Sequence, residues 1–122
     1  MTTTPETAGP LTPEDVVRRM MRAYNEQDLD TAQALLADDL SFTSPQDDHI
    51  DRAAFLERCF PTADRTTRQD LLVVTGVGDG RVYVTYEYDL KDEQGTWRNT
   101  ELISVRDGQI HEIQVFFGGR YA

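Results

Sequence analysis

Apolar residues recur every three to four positions over the first half of the chain and every second position over the second half. Val16, Val17, Met20, Met21 and Tyr24 fall on one helical face. Thr12 suits the N-cap, Pro13 the first helical position, and Glu14 and Asp15 the positive end of the helix dipole. A helix is therefore predicted from about Pro13 to Glu26. Asp28 can cap a second helix over Leu29 to Leu36, with Leu29, Ala32, Leu35 and Leu36 as its apolar residues. Leu40 to Ser44 alternates as a short strand. Arg52 to Phe60 reads as a third helix, stopped by Pro61.

From Arg68 the period is two. Strands are predicted at Gln69 to Val77, Arg81 to Leu90, Thr96 to Arg106 and Ile110 to Phe117. "GDG" at Gly78 to Gly80, "KDEQG" at Lys91 to Gly95 and "DG" at Asp107–Gly108 supply the turns. Helices first and an antiparallel meander after them make an α+β domain, with the helices on one face of the sheet. Residues 1–11 are rich in Thr, Pro and Gly without periodicity and read as a disordered tail. Residues 12–122 read as one domain.

Composition narrows the partners. The chain has 122 residues and a formal net charge of −10. It can bury one core, and its charge disfavours phosphate backbones and anionic membrane surfaces. No nucleic acid and no membrane is expected as a partner. The N-terminus has neither the basic nor the apolar region of a secretory signal, so a cytoplasmic location is expected. Cys59 is the single cysteine, which excludes an intrachain disulfide and a thiolate zinc site. At helical spacing with Phe55 and Phe60, it reads as buried and inert.

The stretch "FTSPQDDHIDR", Phe42 to Arg52, gathers Asp47, Asp48, His49 and Asp51. Asp51 suits the N-cap of the third helix, with Ile50 and Phe55 at the positions of a hydrophobic staple. Asp47 and Asp48 follow Pro45 in an expected loop, where aspartates turn the chain and face water. The cluster has neither the regular spacing and glycine of a calcium loop nor the helical histidine pair of a zinc site. No metal and no cofactor is expected.

The segment "VVRRMMRAYNEQDLDTAQALLADDLSFTSP", Val16 to Pro45, resembles the start of SnoaL-like and ketosteroid-isomerase-like domains of the nuclear transport factor 2 superfamily. Its matching features are the amphipathic helix, "N-x-x-D-L-D" at Asn25 to Asp30, "A-L-L-A-D-D" at Ala34 to Asp39, and the strand closing in "S-P". "DGQIHEIQVFFG", Asp107 to Gly118, looks like the closing hairpin of that family. The resemblance implies a cone, a strongly bent and mainly antiparallel sheet wrapped on three N-terminal helices with an interior pocket. It also implies a homodimer formed through the sheet. Ser44 stands where ketosteroid isomerases carry a general-base aspartate, and Met20 where they carry an oxyanion-hole tyrosine. Gly118 and Gly119 stand where SnoaL-type cyclases carry a late carboxylate. These departures count against both chemistries by their usual routes.

Two polar groups interrupt the sheet's apolar stripes. Asn99 and Glu101 share a face with Trp97, Ile103 and Val105; His111 shares one with Ile113, Val115 and Phe117. A two-residue turn at Asp107–Gly108 pairs Arg106 with Gln109 and separates Glu101 from His111. A bulged turn pairs Val105 with Gln109 and brings the apolar stripes together, and is preferred on that ground. Glu101 and His111 then form a candidate acid–base pair, with Asn99 as a hydrogen-bond donor. Met20, Tyr24, Phe42, Phe55 and Trp97 are candidate ligand-binding walls. In β-period, Val82, Val84, Tyr86 and Tyr88 are expected to face inward, and Glu87 outward. The expected function is binding of a small, mostly apolar molecule, with cofactor-independent isomerisation, cyclisation or dehydration on it. A non-catalytic ligand-binding or dimerisation module of the same fold is the alternative. A protein-docking role like that of nuclear transport factor 2 is a third reading, without support from an apolar patch in the sequence.

Overall fold

The computed structural model describes residues 11–120 and 122. The expected tail thus lies outside the described residues except for Leu11, which packs against the core.

Helix α1 (Pro13–Glu26) begins in a reciprocal capping box. Asp15 N–H donates to Thr12 Oγ1 at 3.1 Å, and Thr12 N–H donates to Asp15 Oδ2 at 3.3 Å. Two orphan amides are thereby satisfied by side chains three residues apart. Helix α2 (Leu29–Leu35) is capped by Asp28, whose carboxylate accepts from Thr31 N–H at 3.2 Å. It ends one residue earlier than expected because Leu36 opens strand β1 (Leu36–Ser44). That strand starts four positions before the predicted one. Leu36 lies opposite Ile110, and both are almost wholly buried, so tertiary packing claims Leu36 from the helix.

The aspartate-rich stretch, expected as a loop, is a short strand β2 (Asp47–Ile50) antiparallel to β1. Asp51 caps α3 (Arg52–Arg58), as expected, accepting from Ala54 N–H at 2.9 Å. The helix yields at Cys59 to a 3-10 segment, Phe60–Arg65, with Pro61 in its first turn. Gln27, at a left-handed φ of 57°, donates its side-chain amide to the carbonyls of Tyr24 and Phe60, both at 2.8 Å. One side chain thus ties the end of α1 to the 3-10 segment.

Strands β3 (Thr66–Gly78), β4 (Arg81–Leu90), β5 (Glu93–Arg106) and β6 (Gln109–Arg120) form the meander. The sheet order is β2-β1-β6-β5-β4-β3, antiparallel throughout except for the parallel β1–β6 pair. The sheet curls over the helices without closing. Val16, Val17, Met20 and Met21 of α1 are buried with Val82 and Val84 of β4, Ile103 of β5 and Ile110 and Ile113 of β6. Burying each such side chain contributes about 1.5–3 kcal/mol, and their contiguity holds the two layers together. Among the described residues, no helix is long and apolar enough to cross a membrane.

The β5–β6 register differs from the preferred one. The turn has two residues, with φ 54° at Asp107 and 78° at Gly108, and Arg106 pairs with Gln109. Positive φ at both central positions is the requirement of a type I′ turn, which Asp-Gly meets. The irregularity lies inside β6 instead. Val105 pairs with Ile110 and Ser104 with Glu112, which leaves His111 as the extra residue of a bulge. Beyond it, Ile103 lies opposite Ile113 and Glu101 opposite Val115. The apolar stripes meet as anticipated, but by a bulge that removes His111 from their alternation.

Candidate functional site

The concave face of the sheet, α1, α3 and the 3-10 segment enclose a cavity of about 180 Å³. Its inner wall is apolar: Met20, Met21, Phe42, Phe55, Ile103 and Ile113 are all buried. Its rim carries Gln46, Arg58 and Phe117, all exposed.

Three side chains from adjacent strands make the polar centre of the cavity. Tyr86 on β4 lies opposite Asn99 on β5, and Glu101 follows two residues along the same face. The Tyr86 hydroxyl donates to Glu101 Oε2 at 2.6 Å. With its hydrogen committed there, the same oxygen accepts from Asn99 Nδ2 at 3.3 Å. Glu101 has no basic partner among the described residues, and its second oxygen makes no described protein hydrogen bond. Burial pushes the Glu101 carboxyl from 4.5 up to about 7, against the opposing pull of the Tyr86 hydrogen bond. Burial and the neighbouring Glu101 hold Tyr86 well above the ordinary phenol range.

Tyr24 brings a further hydroxyl from α1. Its oxygen lies 2.8 Å from Thr62 Oγ1. Thr62 donates its own hydrogen to the Cys59 carbonyl at 2.6 Å, so Tyr24 is the donor to Thr62. Burial pushes the Tyr24 phenol up to about 12, and nearby Glu101 adds to the rise. Tyr24 therefore stays a protonated donor at neutral pH.

At the rim, Asp47 meets Arg58 Nη1 at 3.4 Å and accepts a weak hydrogen bond from Cys59 Sγ at 3.7 Å. Burial and then Asp47 push the Cys59 thiol up to about 11. A thiol of that pKa is not a nucleophile at neutral pH.

Of the residues singled out from sequence, the structure brings Glu101, Asn99, Tyr24, Phe42, Phe55 and Met20 to one cavity. Trp97 is outside its lining and stacks on Tyr88, with ring centroids 6.2 Å apart. His111 is outside it too, on the bulge, where it contributes to the field that holds the Asp39 carboxyl low after the larger effect of Arg106. The Glu101–His111 pair is therefore not formed, and Tyr86 takes the place expected for His111. Tyr86 was legible only as an inward-facing residue. Arg58 and Thr62 were not singled out, although Arg58 follows Phe55 by three helical positions, the spacing that shares a face. Asp47 was read as solvated, yet its side chain is 17% exposed. Among the described residues, no three His, Cys, Asp or Glu side chains converge as metal ligands. His49 pairs instead with its neighbour Asp48.

Comparison with known proteins places this geometry. The family model of the SnoaL-like domain matches residues 17–113. A search of curated proteins finds no match. Among solved structures, a nuclear-transport-factor-2-like protein of unknown function from Cytophaga hutchinsonii ATCC 33406 superposes with a TM-score of 0.71 at 19% identity, over 90% of this chain and 93% of that one. A candidate ketosteroid isomerase from Kribbella flavida DSM 17836 gives 0.72 at 19% identity, over 90% and 80%. A candidate polyketide cyclase from Xanthomonas campestris pv. campestris gives 0.68 at 26% identity, over 84% and 87%. The curled sheet and its helices are thus the cone of this superfamily.

Proposed function

This chain belongs to the SnoaL-like domain family, and on that premise we propose that it binds a small, mostly apolar molecule in the cone and moves a proton on it without a cofactor. The reaction is of isomerase, cyclase or dehydratase type, and Glu101 is the acid–base group. The observation that carries this reading is the Glu101 carboxyl against the apolar wall of the cavity, with no basic partner among the described residues, held by Tyr86 and pushed by burial up to about 7. A group of that pKa is present as acid and as base in comparable amounts at neutral pH. It can take a proton from one atom of a bound molecule and return it to another. Its unbonded oxygen is the one available for that transfer. Tyr86 and Asn99 orient the carboxyl, and the apolar wall excludes water that would otherwise compete. The relatives described as isomerase and cyclase candidates support the same class of chemistry.

The test needs no knowledge of the natural substrate. Cyclohexanone and acetophenone carry exchangeable protons next to a carbonyl and are of single-ring size. Incubated in D₂O, they should acquire deuterium faster with the protein than without it. Glu101→Gln should reduce that acceleration by roughly 10²- to 10⁴-fold, the span of a general base. Equal exchange with the native chain and with Glu101→Gln would remove Glu101 from the chemistry.

A non-catalytic reading has its own observation. Ser44 lines the cavity where isomerases of this fold have an acid, and its hydroxyl merely accepts from Gln46 N–H at 3.1 Å. Saturable ketone binding with no deuterium uptake would favour that binding module. We also propose that two copies associate through the outer face of the sheet, where Val73, Tyr83 and Phe116 are 48%, 39% and 50% exposed.

A further inference from the structure

We propose that the cavity recognises a small monoanion, with an apolar body of about one ring inside the cone and an acidic head group held at the mouth by Arg58. This deepens the small-molecule reading above and rests on it.

Among the described residues, Arg58 is the only cation that lines the cavity. It is the last residue of α3, and its side chain is 54% exposed. The helical face that seats Phe55 in the wall therefore carries Arg58 to the opening. Its described partner is Asp47, met through one contact of 3.4 Å. A guanidinium presents several N–H donors in one plane and binds a carboxylate best through two parallel bonds. Arg68, on the outer face, shows that arrangement: Nε and Nη2 reach the two oxygens of Asp89 at 3.0 and 3.1 Å, and Nη1 serves Glu87 and Asp70. Arg58 by contrast keeps a fork face for a second acceptor. Asp47 is the less exposed member of its pair, so it anchors the guanidinium and leaves it accessible.

The far end of the cavity is the poorer place for the head group. There Glu101 has no basic partner among the described residues, and in its charged form it would repel a second anion. Size sets the body. A dry cavity of about 150 Å³ accommodates benzene, and this one measures about 180 Å³. The net charge of −10 opposes anions in general, so a preference for an anion has to come from the local cation and should vanish with it.

Phenylacetate and phenylacetamide share ring and shape but differ in charge. Titration calorimetry of both against the native chain, Arg58→Gln and Arg58→Lys tests the proposal, with 9-anthraceneacetate as a three-ring acid. The native chain should prefer phenylacetate by roughly 10- to 100-fold, the worth of a charge-assisted hydrogen bond. Arg58→Gln should abolish the preference for the acid, with acid affinity falling further than amide affinity. Arg58→Lys should retain part of the preference, and the three-ring acid should bind more weakly than phenylacetate. Equal native affinity for acid and amide would overturn the proposal while leaving the small-molecule reading intact. So would a preference that survives Arg58→Gln, or tighter binding of the three-ring acid. Absence of binding by every probe, amide included, would overturn both.

Discussion

Glu101 links the site to the stability of the fold. In the unfolded chain its carboxyl titrates near its ordinary value of 4.5, and in the folded chain near 7. The folded state therefore holds this proton more tightly. The associated stabilisation is fully present below about pH 4.5 and is lost as pH rises through about 7. Its full size is on the order of 3 kcal/mol, because each tenfold gain in proton affinity on folding corresponds to about 1.4 kcal/mol. Glutamine cannot ionise, so Glu101→Gln escapes the loss. Urea unfolding at a series of pH values should show the variant gaining on the native chain between pH 5 and 8, by up to about 3 kcal/mol. Asp28, Asp39 and Asp89 are all shifted downward and are common to both proteins, so they cancel in the difference. A difference independent of pH would mean that Glu101 is solvated and ordinary.

Among the elements, those with local signals were legible in the sequence and those set by partners were not. Thr12, Asp28 and Asp51 each cap a helix because a short acceptor side chain precedes an apolar period, and all three do so here. Strand β4 has the bounds that alternation predicts. Glu101 and Asn99 were found because they break an apolar stripe on β5. Leu36 and β2 were misread because their pairing partners lie far along the chain or across a hairpin. The His111 bulge did leave a trace: Ile110 and Ile113, buried on one face, stand three apart, where unbroken alternation allows two or four. The two Asp-Gly turns offer a test of how far such local signals reach. Gly80 and Gly108 both have left-handed φ, of 74° and 78°. A side chain there costs about 1–2 kcal/mol in either turn. At Gly80, however, an added Cβ would come within 2.2 Å of the Val105 carbonyl oxygen, whereas at Gly108 it meets open space. Gly80→Ala should therefore destabilise the chain by at least about 1 kcal/mol more than Gly108→Ala in the same denaturation assay. Equal losses would mean that the backbone at Val105, whose N–H donates to the Gly80 carbonyl at 2.8 Å, gives way without cost.

For the whole molecule, the outer face of the sheet sets the problem that the cavity does not. Register aligns Val73, Thr85, Thr100 and Phe116 in one row across β3 to β6, with Tyr83 and Leu102 in a neighbouring row. The threonine hydroxyls satisfy each other at 2.8 Å, so the row offers apolar surface with its polar atoms already paired. Beside it, Arg68 and Arg98 engage Asp70, Glu87 and Asp89, which leaves this face nearly neutral on a chain of net charge −10. Two such faces can meet in a two-fold arrangement, because each presents the same rows to the other. Repulsion between the remaining negative charges then opposes association from a distance, and salt screens it. Sedimentation equilibrium should give twice the 13.9 kDa chain mass, with dimerisation strengthening as ionic strength rises to about 0.5 M, where charges more than roughly 4 Å apart are screened. An interface held by ion pairs would weaken instead. Phe116→Glu should shift the equilibrium to monomer at every salt concentration while leaving phenylacetamide binding unchanged, since Phe116 does not line the cavity. A native chain that sediments as a monomer in high salt would show that Val73, Tyr83 and Phe116 are tolerated in water. Loss of phenylacetamide binding together with dimerisation would show instead that the second copy holds the cone in shape.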